Sequence, residues 1–181
     1  PIDIALGDRI LTPPAIYVVS RGVNTSFTPA QVCMTVTRVS SNGTADASWP
    51  SNYCDTFDDG TGTTIKANTP VAIAVSTTGQ GTVASPYRDS VFVAAEIERQ
   101  CRNGVLVQRF NHDYLTAGST VFGGTPGICG AVKTTDYPTD MVLSGGKLAV
   151  VGFNRSQLLN FDPNYTGWVA FLDASGSSNV P

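Results

Sequence analysis

The fold is decided by one stretch of the chain, Ser90-Val-Phe-Val-Ala-Ala-Glu-Ile-Glu-Arg-Gln-Cys-Arg-Asn-Gly-Val-Leu-Val-Gln-Arg-Phe-Asn-His-Asp-Tyr114. Apolar and polar side chains alternate through much of this stretch, as they do in half-buried β-strands. The dipeptide Asn103-Gly104 lies near its middle and is a preferred pair for a two-residue type I′ turn, since both turn positions need positive φ. The stretch therefore predicts an antiparallel β-hairpin that turns at these two residues.

A turn at this place predicts the register of the two strands. Ile97 faces Phe110, and Glu98 faces Arg109 as a cross-strand ion pair. The core-facing side holds Val93, Ala95, Ile97, Cys101, Leu106, Phe110, His112 and Tyr114. The opposite, polar side holds Glu96, Glu98, Gln100, Arg109 and Asn111. A slip by one residue mixes the two sets, so the alternation disfavours it.

The same alternation recurs along the chain. It is found at residues 15–20, 31–39, 69–76 and 167–172, each bounded by clusters of Gly, Pro, Asn, Asp or Ser. Further strands are expected at 147–153 and 168–173. Two stretches, 42–64 and 116–141, are rich in Gly, Thr, Ser, Pro and Asp and predict long loops. No segment keeps a helical period for three turns, although 155–159 suffices for one helical turn. Seven to nine antiparallel strands predict an all-β antiparallel β-sandwich, Ig-like or jelly-roll-like, formed by residues 13–181 as one domain.

The N-terminal segment, residues 1–12, is predicted to be a separate extended strand. Its apolar residues alternate at Ile2, Ile4 and Leu6, and the prolines at 13 and 14 stiffen the connection to the domain. One interpretation is an ordinary first strand of the chain's own sheet. The other is a strand donated to a neighbouring subunit, whose groove the three apolar side chains fill while Asp3, on the opposite face, contributes little. The donated strand is wrong if this segment lies in the sheet of its own chain.

The four cysteines, Cys33, Cys54, Cys101 and Cys129, are widely spaced and form no C-x-x-C pair. With a single histidine in the chain, this pattern disfavours a zinc site and favours two disulfides formed in an oxidising compartment. Buried free thiols are the alternative. Of the three possible connectivities we expect sequential pairing, 33 with 54 and 101 with 129. Each such loop would add about 3 kcal/mol of stability on the chain-entropy model.

The composition excludes several classes of function. Only 14% of the residues are charged, and the net charge is −3, against roughly 25% charged residues in an average soluble domain. A nucleic-acid partner is disfavoured, because binding to phosphates needs clustered Lys and Arg. The apolar runs are also too short for membrane insertion by a helix. Low charge instead suits a protein that buries much of its exterior against neighbours.

No set of residues predicts catalysis, a metal site or a cofactor. His112 is the single histidine and is expected on the core-facing side of the hairpin. Asp55, Asp58 and Asp59 lack the spacing of a calcium loop, and the Glu96–Glu98 pair is better explained as surface charge than as the carboxylates of a glycosidase.

Four N-x-[ST] sequons occur, at Asn24, Asn42, Asn154 and Asn164, and are expected to face outward if they are glycosylated.

These observations favour an extracellular structural subunit that assembles with copies of itself into a pilus-like filament or surface array. The chain begins with Pro1, which fits either a removed leader or a trimmed Met. A virion coat or decoration protein is the alternative within this class. A carbohydrate-binding or adhesive module is the second class, because aromatic side chains expected near loops are available to stack on sugar rings. These are Trp49, Tyr53, Tyr87, Tyr137, Tyr165 and Trp168.

Overall fold

The computed structural model describes residues 1–7, 15–26, 30–47, 49, 68–76, 90–99, 102–110, 116–122, 132–158 and 163–174. These residues form ten antiparallel strands, which confirms the all-β fold. The strands are β1 (Asp3–Leu6), β2 (Ile16–Asn24), β3 (Gln31–Val39), β4 (Asn68–Ser76), β5 (Ser90–Arg99), β6 (Arg102–Phe110), β7 (Thr116–Phe122), β8 (Val132–Ser144), β9 (Lys147–Leu158) and β10 (Asn164–Asp173).

The strands form three sheets. The N-terminal sheet has the order β1-β2-β3, the central sheet β4-β5-β6-β7, and the C-terminal sheet β10-β9-β8. Each sheet contains only strands that follow one another in the chain, so every neighbouring pair is antiparallel and sequential.

The central sheet is buried on both faces. On β5, Val91 and Val93 point to one face while Phe92 and Ala94 point to the other, because successive side chains of a strand alternate, and all four are at most 3% exposed. The expectation of a polar second face for the hairpin was therefore wrong: that face carries apolar side chains that pack against a further sheet.

Each face of the central sheet contributes to a separate hydrophobic core. One core joins the central sheet to the N-terminal sheet and contains Ala15, Tyr17, Val19, Met34, Val36, Trp49, Ile73, Val91, Val93 and Phe110. The other joins it to the C-terminal sheet and contains Ala72, Ala74, Phe92, Ala94, Val105, Val107, Met141, Leu148, Val150, Leu172 and Ala174. The sandwich therefore has three layers, and the outer faces of its outer sheets look in opposite directions.

The hairpin of β5 and β6 is present, but its predicted turn and register were wrong. Glu98 pairs with Asn103, and Arg109 pairs with Phe92. The strands are shifted by six residues relative to the expected register, and Asn103 and Gly104 lie within β6. An even shift leaves every side chain on its predicted face, so the alternation cannot distinguish the two registers. The Glu98–Arg109 pair is replaced by a contact of the Arg109 guanidinium with the Phe92 ring, 5.8 Å from its centroid.

The C-terminal half contains more strand than the sequence predicts. The expected loop at 116–141 includes β7 and most of β8, and the expected helical turn at 155–159 falls largely within β9. A two-residue turn, Gly145-Gly146, joins β8 to β9, with φ of 57° and 77°. Both angles belong to the left-handed region that a type I′ turn requires and that glycine adopts without strain.

Several of the predicted features lie outside the described residues. They are Cys54, Cys101, Cys129, His112, Tyr53, Tyr87, Tyr114 and the acidic cluster Asp55, Asp58 and Asp59.

Candidate functional site

The surface of the described residues carries eight exposed large hydrophobic side chains, and seven of them lie on two faces. Ile2, Ile4 and Leu6 lie on the outer face of the N-terminal sheet. Val142, Tyr165, Val169 and Phe171 lie on the outer face of the C-terminal sheet. We call these the N-terminal patch and the C-terminal patch. The eighth side chain, Val23, lies near the end of β2, outside both patches.

The N-terminal patch is formed by β1 in the chain's own sheet. Ile4 pairs with Val18 and Leu6 pairs with Ile16, both on β2. The expectation of a strand donated to a neighbouring subunit was therefore wrong. The expected orientation is also reversed, because Ile4 and Leu6 are exposed whereas Asp3 points inward.

Asp3 explains this orientation. Its carboxylate accepts hydrogen bonds from the backbone N–H of Ile4, at 2.8 Å, and of Ile73, at 2.9 Å. Ile73 lies on β4, an edge strand of the central sheet, so Asp3 satisfies a backbone donor at that edge. The bond ties the first strand to the central sheet and leaves the apolar side chains of β1 facing outward.

We expect Asp3→Ala to lower the free energy of unfolding by about 2 kcal/mol, because a part-buried N–H loses a charged acceptor. Ile4→Ala, one residue away and on the exposed face, should change it by no more than about 0.5 kcal/mol. Urea unfolding of both variants tests the difference. Equal stabilities would show that the Asp3–Ile73 bond does not hold β1 in place.

The N-terminal patch extends onto the neighbouring strands. Ile16, Val18 and Val39 lie on the same face and are half-buried. Of the outer positions described on β1, β2 and β3, none carries a charged side chain. Hydrophobic contact is therefore the interaction that this face can offer a partner.

The C-terminal patch crosses three strands. Val169 pairs with Val151, and Phe171 pairs with Ala149, which in turn pairs with Val142 on β8. Beyond these rows lie three aromatic side chains on the same face, Tyr137, Phe153 and Tyr165, which we call the aromatic row. Val142, Val169 and Phe171 are 57–63% exposed.

The aromatic row is packed against itself. The rings of Tyr137 and Phe153 are stacked, with centroids 4.9 Å apart and an interplanar angle of 26°. Phe153 and Tyr165 are 6.0 Å apart and tilted by 55°. Stacking of Tyr137 on Phe153 uses ring faces that a sugar would need. Tyr165, which is exposed, retains the most ring surface for a ligand.

The two tryptophans predicted as possible sugar platforms are packing residues. Trp49 is 3% exposed, with its ring centroid 5.4 Å from that of Tyr17. Trp168 points inward from β10 and packs edge-to-face on Phe122, at 5.8 Å. Neither side chain belongs to an outer patch.

A partly buried ion pair packs against Trp49. Arg38 and Asp46 form a salt bridge in which the Arg38 Nε also donates to Asp46 Oδ2, at 2.9 Å. The guanidinium lies 5.0 Å from the Trp49 ring centroid. Burial lowers the pKa of Arg38, but the interactions with Asp46 and Tyr17 raise it by more than burial lowers it. The net pKa of Arg38 is therefore above its ordinary value. The group is therefore a permanent structural cation.

The predicted glycosylation sites differ in their surroundings. Asn42 and Asn164 are exposed. Asn154 faces inward, and its side-chain amide donates to the buried Asp136 carboxylate at 2.9 Å, so the expectation that it faces outward was wrong. Asn24 ends β2.

Cys33 is buried on β3 and disulfide-bonded. The other three cysteines lie outside the described residues, so the pairings of 33 with 54 and of 101 with 129 stay predictions.

The described residues include no group of three His, Cys, Asp or Glu side chains that could hold a metal ion. Within the same ranges no helix is long and apolar enough to cross a membrane. Comparison of the chain with protein-family models, with curated proteins and with solved structures finds no match. The two patches are thus the features from which a function can be argued.

Proposed function

We propose that this protein is a structural subunit that assembles with copies of itself, and that the N-terminal and C-terminal patches are its contact surfaces. The observation that carries the proposal is the placement on these two faces of seven of the eight large hydrophobic side chains that are exposed among the described residues. Scattered apolar side chains are ordinary on a protein surface, whereas contiguous patches mark interaction sites.

The energetics favour covering both patches. Burial of one Val, Leu, Ile or Phe side chain contributes about 1.5–3 kcal/mol when it passes from full exposure to full burial. The side chains in the patches are 43–63% exposed, so each has roughly half of that contribution still to gain. Several such side chains acting together can offset the entropy lost on association.

The opposite orientation of the patches supports an open assembly. A subunit with one contact surface forms closed pairs, whereas a subunit with two surfaces on opposite sides can continue to add copies. This geometry fits the filament or surface array expected from the sequence, and it also fits a shell such as a virion coat. Low charge and the disulfide at Cys33 support an extracellular location as part of the proposal.

A test compares three matched substitutions at exposed positions: Ile4→Asp in the N-terminal patch, Phe171→Asp in the C-terminal patch, and Val23→Asp outside both. We expect the wild type and Val23→Asp to sediment as species larger than the 19.0 kDa chain. Each patch variant should shift toward smaller species, because its carboxylate would be buried without a partner. Analytical ultracentrifugation and negative-stain electron microscopy give the readout.

The melting temperature of the dissociated chain should change little in all three variants, since these side chains are exposed in the single chain. A wild type that sediments only as a 19.0 kDa species would contradict the proposal. Equal loss of assembly in Val23→Asp would also contradict it, since any added charge would then suffice.

A carbohydrate-binding module is the second candidate, and the exposed Tyr165 ring at the end of the aromatic row favours it. In that case Tyr165→Ala would abolish retention on a glycan column while leaving sedimentation unchanged.

A further inference from the structure

β10 forms an edge of the C-terminal sheet, and its outer edge pairs with no other strand among the described residues. It runs for ten residues, Asn164–Asp173, with no proline. Its single charged residue is the last one, Asp173. A long edge strand whose one charge lies at its last residue is a template for another strand, and proteins normally protect such edges.

Several other sheet edges in the described part of the chain carry protecting features. β7, an edge of the central sheet, has only seven residues and a register shift in its pairing with β6. β8, at the other edge of the same sheet, carries Pro138 and a bulge between Pro138 and Asp140. β4 carries Pro70 and a bulge, and its Ile73 N–H is capped by Asp3.

In the N-terminal sheet, β1 has only four residues. Near the end of β3, a turn places the Asp46 N–H on the Arg38 carbonyl, at 2.8 Å. By contrast, β10 has ten residues, contains no proline and pairs with β9 without a register shift.

We propose that β10 pairs antiparallel with β10 of a second copy, about a two-fold axis at Val169, and so continues the C-terminal sheet from three strands to six. The inference rests on the proposed self-assembly and identifies its first contact. A two-fold pair of identical strands is self-complementary by symmetry.

Side chains on the outer face match in this register. Val169 lies opposite Val169 of the second copy and extends the row that begins at Val151. Phe171 lies opposite Gly167 of the second copy, where an aromatic ring can cover the glycine.

The charges match as well. Asp173 lies opposite Tyr165 of the second copy, and Tyr165 pairs with Arg155 of its own chain. Asp173 pairs with Lys147 of its own chain. Across the joined sheets, this row runs from Arg155 of one copy to Asp173 and then Lys147 of the second copy. The charges along it alternate in sign, and no like charges lie directly opposite one another.

Sheet continuation also enlarges the C-terminal patch. Three strands of about ten residues cover roughly 480 Å², which is below the roughly 800 Å² per partner of a stable interface. Six strands present about twice that area, roughly 950 Å². Pairing of β10 thus turns a patch too small for a stable contact into one that is large enough.

Two valines on this face provide a matched test: Val169, 57% exposed, and Val142, 59% exposed. Val169→Cys should form a disulfide-linked dimer on mild oxidation, because directly opposed residues have Cα atoms about 4.5–5.5 Å apart. Val142→Cys should not, since the two copies of β8 are separated by five strand spacings, about 24 Å. Non-reducing gel electrophoresis distinguishes the two results.

Hydrogen exchange gives a readout independent of cysteine chemistry. Amides of β10 should exchange more slowly in the assembled wild type than in dissociated Phe171→Asp. Equal exchange in the two states overturns strand pairing, and slow exchange without a Val169→Cys cross-link overturns the register centred on Val169.

Cross-linking of Val142→Cys as efficiently as Val169→Cys would mean that the faces stack on one another, and overturns the proposal. If sedimentation shows assembly but β10 gives neither a cross-link nor protection, β10 pairing is wrong and the proposed function stands. If the wild type does not assemble, the proposed function itself fails.

Discussion

Asp46→Ala is expected to lower the free energy of unfolding by about 3 kcal/mol, at the lower end of the cost of breaking a buried ion pair, because the buried Arg38 charge is left uncompensated. The Arg38 side chain is 7% exposed and lies above the Trp49 ring, so its guanidinium cannot recover full hydration. Because the pKa of Arg38 is raised, its charge and the stability it contributes persist at all ordinary pH values and are lost only at strongly alkaline pH.

The control is the double variant Arg38→Met with Asp46→Leu. Replacing a buried ion pair by apolar side chains of similar volume is often neutral, so the double variant should be more stable than Asp46→Ala alone. Thermal and urea unfolding measure both. A double variant less stable than Asp46→Ala would show that the pair contributes net stability and that an uncompensated charge is not the main cost.

Gly152→Ala is expected to lower the free energy of unfolding by about 3 kcal/mol, at the upper end of the cost of overpacking a core. A Cβ atom on Gly152 would lie 2.2 Å from the Tyr137 carbonyl oxygen and 2.3 Å from a ring carbon of Trp168. Neither group can move easily: the carbonyl belongs to the β8 backbone, and the indole packs on Phe122 in the core shared with the central sheet.

Gly167→Ala is the control, because its Cβ would meet only the Gly152 carbonyl oxygen, at 3.9 Å. It should change stability by no more than about 0.5 kcal/mol. Both changes are best made in the Phe171→Asp variant, which is expected not to assemble, so that assembly does not contribute to the measured free energy of unfolding. A cost for Gly152→Ala as small as that for Gly167→Ala would mean that β8 and β10 adjust freely around this position.

The strands with alternating apolar and polar residues could be predicted from the sequence. Residues 31–39 coincide with β3 and 147–153 lie within β9, because alternation with period two is a local property of a strand. Two of the differences have a local signal in the sequence. Gly145-Gly146 is a pair typical of a hairpin turn, whereas Pro138 and its neighbouring Thr and Asp residues give β8 the composition of a loop.

Other errors had no local signal. Alternation in β1 separates Ile4 and Leu6 from Asp3 but does not say which set faces inward. The Asp3 carboxylate binds an N–H that lies seventy positions further along the chain, and this contact turns the apolar set outward. The alternation also does not determine the register of β5 and β6, since a shift by an even number of residues keeps each side chain on the same face of the sheet.

The sequence by itself determined the class of fold, the low surface charge and the division of each strand into two faces, because these depend on residue type and on a period of two. The tertiary structure alone decided which faces are covered. Stacking three sheets buries both faces of the central sheet and leaves one outer face on each flanking sheet. The apolar side chains on those faces, which we propose as assembly surfaces, can be identified only once the layers are in place, since exposure is a property of the packed chain.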